Sequence, residues 1–287
     1  MAQAGVDSPW LTALILLERT SGIGREAVLA HPESVPTPLE NQWFWELVER
    51  RCSREPLAYI VGFREFFGRR FAVTRDTLIP RPETEGIVQL ALDQLSRIEG
   101  EARSAVAEMS NGGEQTPALL LDVGTGSGAI AVTLLDQKPH LRAVATDIDD
   151  AALRVASLNA REHGVSARLQ LVACDLAEAL RVTFPLIVAN LPYIPTSHMD
   201  ALEPEVSRYE PMSALDGGPY GTAVMDRLLA TLPGRLAPRG CAILEIGEHQ
   251  AGRLRKRASQ HLPGWPVTFE RDAADIERFL VISRPET

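Results

Sequence analysis

From residue 118 onward, short apolar runs alternate with segments of helical period, and this alternation constrains the fold more than any other feature of the chain. The runs are ALLLDVG (118–124), RAVATD (142–147), RLQLVAC (168–174), PLIVAN (185–190) and CAILEIG (241–247). Helical patterns lie between them near 128–137, 150–163 and 221–236. Strands apolar on both faces and separated by helices predict a mostly parallel α/β sheet covered on two sides. Two late runs, PVTFE (266–270) and RFLVIS (278–283), read as the closing strands.

The part before residue 86 reads differently. Residues 1–60 are helical in pattern, through LTALILLER (11–19) and NQWFWELVERRC (41–52), with the Pro-rich HPESVPTP (31–38) between them. FREFFGRRFAVTRDTLIP (63–80) has strand-like runs around Gly68-Arg69 and predicts a hairpin. In IPRPETE (79–85) the prolines stop the strand, and Glu83 and Glu85 suit the first turn of a helix running from about residue 84 through IVQLALDQL. The stretch 99–117, polar and Gly-rich toward its end, predicts a linker or insertion. The expected division is a helical domain (1–60), a hairpin and linker (61–85) and an α/β domain (86–287).

Composition narrows the partners. The formal charge is −9 over 287 residues, and the only Lys/Arg-rich block is RLRKR at 253–257. A basic footprint for a nucleic-acid backbone is missing, which favours a protein or small-molecule substrate. Cys52, Cys174 and Cys241 are too few and scattered for a disulfide framework or a zinc site, so no metal is expected. LTALILLE is too short to span a bilayer, and nothing basic precedes it as in a signal peptide. A cytoplasmic monomer without membrane contact is expected.

DVGTGSGA (122–129) follows the first of the alternating strands and opens the next helix. Gly124, Gly126 and Gly128 allow a sharp turn close against a ligand, with Thr125 and Ser127 between them. Asp147 ends the second strand, where a carboxylate accepts from ribose hydroxyls. A nucleoside-containing cofactor follows, and the loop alone is compatible with NAD. The G-x-G-x-G spacing, Asp122 ahead of it and the further acid Asp175 lean toward S-adenosylmethionine, giving S-adenosylhomocysteine as product. Asp122 is then expected near the methionine ammonium, Asp175 at adenine N–H, and Leu176 as an apolar wall.

The fourth strand ends in Asn190-Leu191-Pro192-Tyr193, where a chain normally turns into a helix. In an open parallel sheet ligands bind beyond the carboxyl ends of the strands, so this tetrapeptide should face the sulfonium. It resembles the [N/D/S]-P-P-[Y/F/W] signature of methyltransferases acting on planar nitrogens, whether adenine, cytosine or glutamine amide. The Asn190 side-chain oxygen and the Leu191 carbonyl can each accept one N–H of such a group. Pro192 stiffens the loop and Tyr193 offers a ring face.

Four stretches together resemble the release factor glutamine methyltransferases, the PrmC/HemK family: 54–85 with IPRPETE, LLLDVGTGSGAIAV (119–132), VANLPYIP (188–195) and YEPMSALDGGPYG (209–221). The resemblance covers roughly residues 50–283 and, loosely, the helical part before. It implies a Rossmann-like class I methyltransferase domain, its last strand antiparallel, behind a small helical domain that docks the substrate. It implies transfer of a methyl group from S-adenosylmethionine to the side-chain amide nitrogen (N5) of the glutamine in the GGQ motif of class 1 peptide chain release factors. By the same resemblance Gly124–Gly128, Asp147, Leu176 and Asn190 line the cofactor, and Asn190–Tyr193 hold the glutamine. Arg81, Glu83, Glu85, Glu210 and Pro211 shape the pocket. Three positions depart from the family pattern: Leu191 stands for the usual proline, implying a looser loop; Leu176 stands for an aromatic residue; and the helix expected before SPWLTALILLE is missing. The alternative reading is an adenine-N6 methyltransferase acting on RNA or DNA, since N-L-P-Y also occurs in ribosomal-RNA adenine dimethylases.

Overall fold

The computed structural model describes residues 1–31, 33, 35–108 and 118–286. Four helices open the chain: α1 (Pro9–Ser21), α2 (Arg25–Ala30), α3 (Pro38–Cys52) and α4 (Leu57–Val61). Thr37 and Glu40 form a capping box at the start of α3, each satisfying the other's free backbone amide. Leu16, Leu47, Val48, Ile60 and Val61 make the small core of this unit. It is tied to the rest by charge: Arg51 and Arg54 both donate to the Glu205 carboxylate, at 3.0 and 2.7 Å.

A hairpin follows, β1 (Phe63–Phe66) with β2 (Arg69–Ala72), its turn at Phe67-Gly68. Glu85 accepts from the Phe67 amide at 2.8 Å and so fastens the hairpin to the helix that begins there. That helix, α5 (Glu85–Glu108), runs through the first ten residues of the expected linker. Glu, Ala and Arg between 99 and 108 are strong helix formers, and Gly100 alone does not stop them. Residues 109–117, the remainder of that stretch, lie outside the described residues.

The α/β part comprises β3 (Leu119–Val123), α6 (Ala129–Gln137), β4 (Arg142–Asp147), α7 (Asp150–Glu162), β5 (Leu169–Ala173) and β6 (Phe184–Ala189). After a short helix α8 (Pro204–Ser207) come α9 (Ala223–Arg235), β7 (Leu236–Glu245), α10 (Ala251–His261), β8 (Val267–Arg271) and β9 (Glu277–Ser283). The basic RLRKR block lies on α10, a helix the sequence pattern did not announce because its apolar positions are few. The sheet has seven strands in the order β5-β4-β3-β6-β7-β9-β8, and the last strand, β9, runs antiparallel to its neighbours.

Alternate residues of each central strand feed opposite layers. Leu121, Ile187 and Leu244 pack with Met225, Leu229 and Leu254 of α9 and α10. Leu120, Leu186 and Ile243 pack with Ile87, Leu95 and Ile130 of α5 and α6. Strand order reverses between β3 and β6, which makes the crevice at their carboxyl ends the natural ligand position. In the parallel register Val123 lies beside Ala189, so Gly124 and Asn190 leave the sheet side by side. Among the described residues no helix is long and apolar enough to cross a membrane.

Candidate active site

A cavity opens at this crevice, lined among others by Gly124, Thr125, Gly126, Ser127, Asp147, Asp175, Leu176, Asn190, Leu191 and Pro192. The glycine loop makes its own shape: Gly124, Gly126 and Gly128 have φ of 71°, 56° and 81°, in the left-handed region that favours glycine. The amides of Gly124 and Thr125 both donate to the Thr146 carbonyl at 2.9 Å. Asp147 accepts from the amide of Gly126 at 2.8 Å and from that of Asp149 at 3.0 Å, and burial raises its pKa.

Two residues of the expected cofactor set sit elsewhere. Asp122 is fully buried beneath the loop, where its Oδ2 accepts from Thr125 Oγ1 (2.7 Å) and the Ala131 amide (3.3 Å). It therefore organises the loop from below rather than facing the cavity, and burial pushes its carboxyl up to about 7. Gly128 turns toward α7, where a Cβ would meet that of Ala156 at 3.1 Å, so helix packing adds to its backbone requirement. Asp175 does reach the cavity wall, and there it pairs with Arg227 at 2.6 Å. Leu176 holds φ 48°, bending the chain after β5 so that its side chain joins the wall.

The segment after β6 is gripped from several sides. The Leu191 side chain is buried over the loop: a Cβ on Gly124 would come within 2.9 Å of Leu191 Cδ2. Ile194 exchanges backbone bonds with Leu215 (3.0 Å) and Gly217 (2.8 Å). Gln250, ahead of α10, donates to the Tyr193 carbonyl at 2.8 Å while its Oε1 accepts from the Gly247 amide. Gly217 and Gly221 permit this closeness, since a Cβ would stand 2.6 Å from the Pro192 carbonyl and 2.2 Å from the Tyr193 carbonyl respectively. The loop expected to loosen for want of a second proline is thus fixed by its surroundings.

Asn190 presents one end of its amide inward: Nδ2 donates to Thr84 Oγ1 at 3.0 Å, and Oδ1 has no partner among the described residues. Thr84 belongs to IPRPETE, in a 3-10 turn (Pro82–Thr84) that also lines the cavity. This turn is located by Arg81, which donates to Glu210 at 2.6 Å, while Glu210 also accepts from the Ile79 amide. Tyr193 lies beside the cavity rather than on its wall, its hydroxyl toward Glu245, and burial raises its pKa. Sequence reasoning missed Thr84, Gln250 and Ile148. Only the last left a signal, an apolar residue directly after Asp147, and it is exposed on the cavity wall.

A Rossmann-like sheet whose glycine loop and strand-end asparagine share one crevice defines a class I methyltransferase. Solved structures agree in fold: the catalytic domain of hMettl16 bound to an RNA hairpin (14% identity, TM-score 0.57, 83% of this chain and 82% of that one), and a methyltransferase from Pyrococcus furiosus (16% identity, TM-score 0.53, 85% and 98%). Residues 1–62 match the PrmC N-terminal domain and residues 109–203 the methyltransferase small domain. The release factor glutamine methyltransferase of Nitratidesulfovibrio vulgaris is 38% identical over 284 residues, 98% of this chain and 90% of that protein. That of Rhodospirillum rubrum is 40% identical over 283 residues, 98% and 81%. The chain belongs to the release factor glutamine methyltransferase family, whose chemistry implies S-adenosylmethionine as methyl donor.

Proposed function

We propose that this chain methylates the side-chain amide nitrogen of the glutamine in the GGQ motif of class 1 release factors, in the cytoplasm, with S-adenosylmethionine as donor. The observation that carries the reading is the seating of Asn190-Leu191 directly on the glycine loop, with Asn190 Oδ1 at the cavity and without a partner among the described residues. The residues present suit the cofactor: the open space at Gly126 lies beside the Asp147 carboxylate, and Leu176 and Ile148 supply apolar walls. When bound, S-adenosylmethionine supplies an electrophilic methyl group on a sulfonium.

The chain's own contribution is to make a poor nucleophile attack. A glutamine amide delocalises its nitrogen lone pair into the carbonyl. Asn190 Oδ1 and the Leu191 carbonyl each accept one N–H, which fixes the amide plane and raises electron density on nitrogen. Pro192 holds the loop in shape, and Tyr193, beside the cavity, turns its hydroxyl toward Glu245. After transfer the nitrogen sheds its extra proton to water, so no strong base is required. Holding the amide in line accounts for up to roughly 7–11 kcal/mol of the barrier in favourable cases.

The helical domain supplies a surface for a protein partner: Trp10, Leu39 and Trp45 are exposed there by 69%, 76% and 56%. A net charge of −9 argues against RNA or DNA as substrate. The test is incubation with labelled S-adenosylmethionine and, separately, a release factor, its GGQ→GGA variant and RNA. Label is expected on the unaltered release factor alone. Label on RNA, or retained by the GGA variant, overturns the reading.

A further inference from the structure

Asn190 has a problem that its position alone does not solve. A side-chain amide is nearly symmetric in shape, with two donors at one end and an acceptor at the other. Only the acceptor end can take an N–H from a glutamine amide. The contact with Thr84 does not choose between them, because a hydroxyl can accept from Nδ2 or donate to Oδ1 equally well.

Glu245 makes the choice. It ends β7, is 1% exposed, and among the described residues neither of its oxygens meets a donor in good hydrogen-bond geometry. Its carboxyl faces the hydroxyls of Thr84 and Tyr193, with Arg278 of β9 and Glu83 of the 3-10 turn as the charged groups around it. A buried carboxylate left unpaired is costly, and hydroxyl hydrogens rotate to suit. An ionised carboxylate can only accept, so the direction is set at pH above the Glu245 titration, which burial pushes up to about 7. Once the Thr84 hydrogen points to Glu245, the Thr84 oxygen can only accept, and Asn190 must offer it Nδ2.

We propose that Glu245 and Thr84 are positioning residues that fix the polarity of the Asn190 amide, so that Oδ1 faces the substrate. The inference rests on the glutamine reading of the clamp and adds how the clamp is kept acceptor-first. Neither residue need touch substrate. The buried carboxylate sets the direction of a short chain of hydrogen bonds, and Asn190 is its last member.

Thr84→Val keeps the shape and removes the hydroxyl, Thr84→Ser keeps the hydroxyl, and Glu245→Gln replaces the acceptor-only group by one that can also donate. Each is compared with wild type for kcat and KM on release factor, for cofactor Kd by calorimetry, and for the side-chain amide signals of Asn190 by nitrogen-15 NMR. The valine variant is expected to lose about 10- to 100-fold in kcat, with cofactor Kd unchanged. Serine should restore most of that loss, and glutamine should fall between valine and wild type. The Asn190 amide protons should be protected from exchange in wild type and unprotected with valine. Wild-type kcat in the valine variant, or a loss that serine does not rescue, overturns the proposal. Should the wild-type protein leave release factor unmethylated, the glutamine reading fails. The exchange protection of Asn190 still decides whether Thr84 holds it.

Discussion

Two loops meet over the cavity, and they are held in opposite ways. The loop after β3 carries its conformation in its own glycines, and its bonds run to the adjacent β4, through Thr146 and Asp147. The loop after β6 has no glycine in Asn190–Tyr193 and owes its shape to distant segments: Thr84 before α5, Leu215 and Gly217 ahead of α9, and Gln250 ahead of α10. The glycine loop can be written locally because its amides bond within itself and to the next strand. A loop proposed to aim one side-chain oxygen needs support from outside itself.

The sharpest way to break this contrast is Asn190→Ala. It should lower turnover by about 10²–10³-fold, the scale for losing one aimed group at a reacting centre, with cofactor affinity nearly unchanged in calorimetry. Comparable losses in both would mean that the two loops act as one.

The same substitution placed in each region gives a smaller and more discriminating effect. Gly221→Ala puts a Cβ 2.2 Å from the Tyr193 carbonyl, and should destabilise by about 3 kcal/mol while reducing kcat. Gly126→Ala meets nothing within 4 Å, so only its left-handed backbone is strained, at about 1 kcal/mol, and cofactor Kd should rise while kcat holds. Denaturant melts and steady-state kinetics on the pair check this, and equal effects on Kd would erase the distinction.

The smallest effect concerns pH. Burial pushes Glu245 up to about 7 against an ordinary 4.5, with the Thr84 and Tyr193 hydroxyls and Arg278 acting to lower it. The folded state then retains a proton that the unfolded chain releases, so stability falls as pH rises from about 4.5 to 7 and levels off above. Glu245→Gln removes this contribution. Relative to wild type it should gain on the order of 1–2 kcal/mol between pH 5 and 8. Asp122, pushed the same way under the glycine loop, leaves a residual slope in that variant. A variant as pH-sensitive as wild type would place Glu245 in solvent contact.

The contrast between the loops also explains what could be read in advance. The strands of the sheet, the helices between them except α10, the hairpin and the glycine loop follow from local periodicity and from residues next to one another in sequence. Asn190 was legible because it ends a buried run. Thr84, Glu245 and Gln250 were not, since each looks ordinary in place: a threonine in a turn, a glutamate after the apolar run AIL, a glutamine before a helix. Their meaning arises only when β6, β7 and the turn before α5 are brought together. Asp122 differs in the other sense: adjacency to the glycines suggested a ligand contact, and the structure buries the side chain under the loop with Oδ2 bonded to Thr125. The last stretch of α5 was obscured by glycines that lie beyond Glu108.

Leu191 illustrates a different economy. A proline at that position narrows the unfolded chain's choices before folding starts. Leucine leaves the backbone free until Leu215, Gly217 and Gln250 close on its neighbours, so ordering it carries a conformational-entropy cost of roughly 1–2 kcal/mol at the moment of folding. Rigidity in this site is therefore a property of the assembled domain. It would be absent from a peptide spanning the clamp alone.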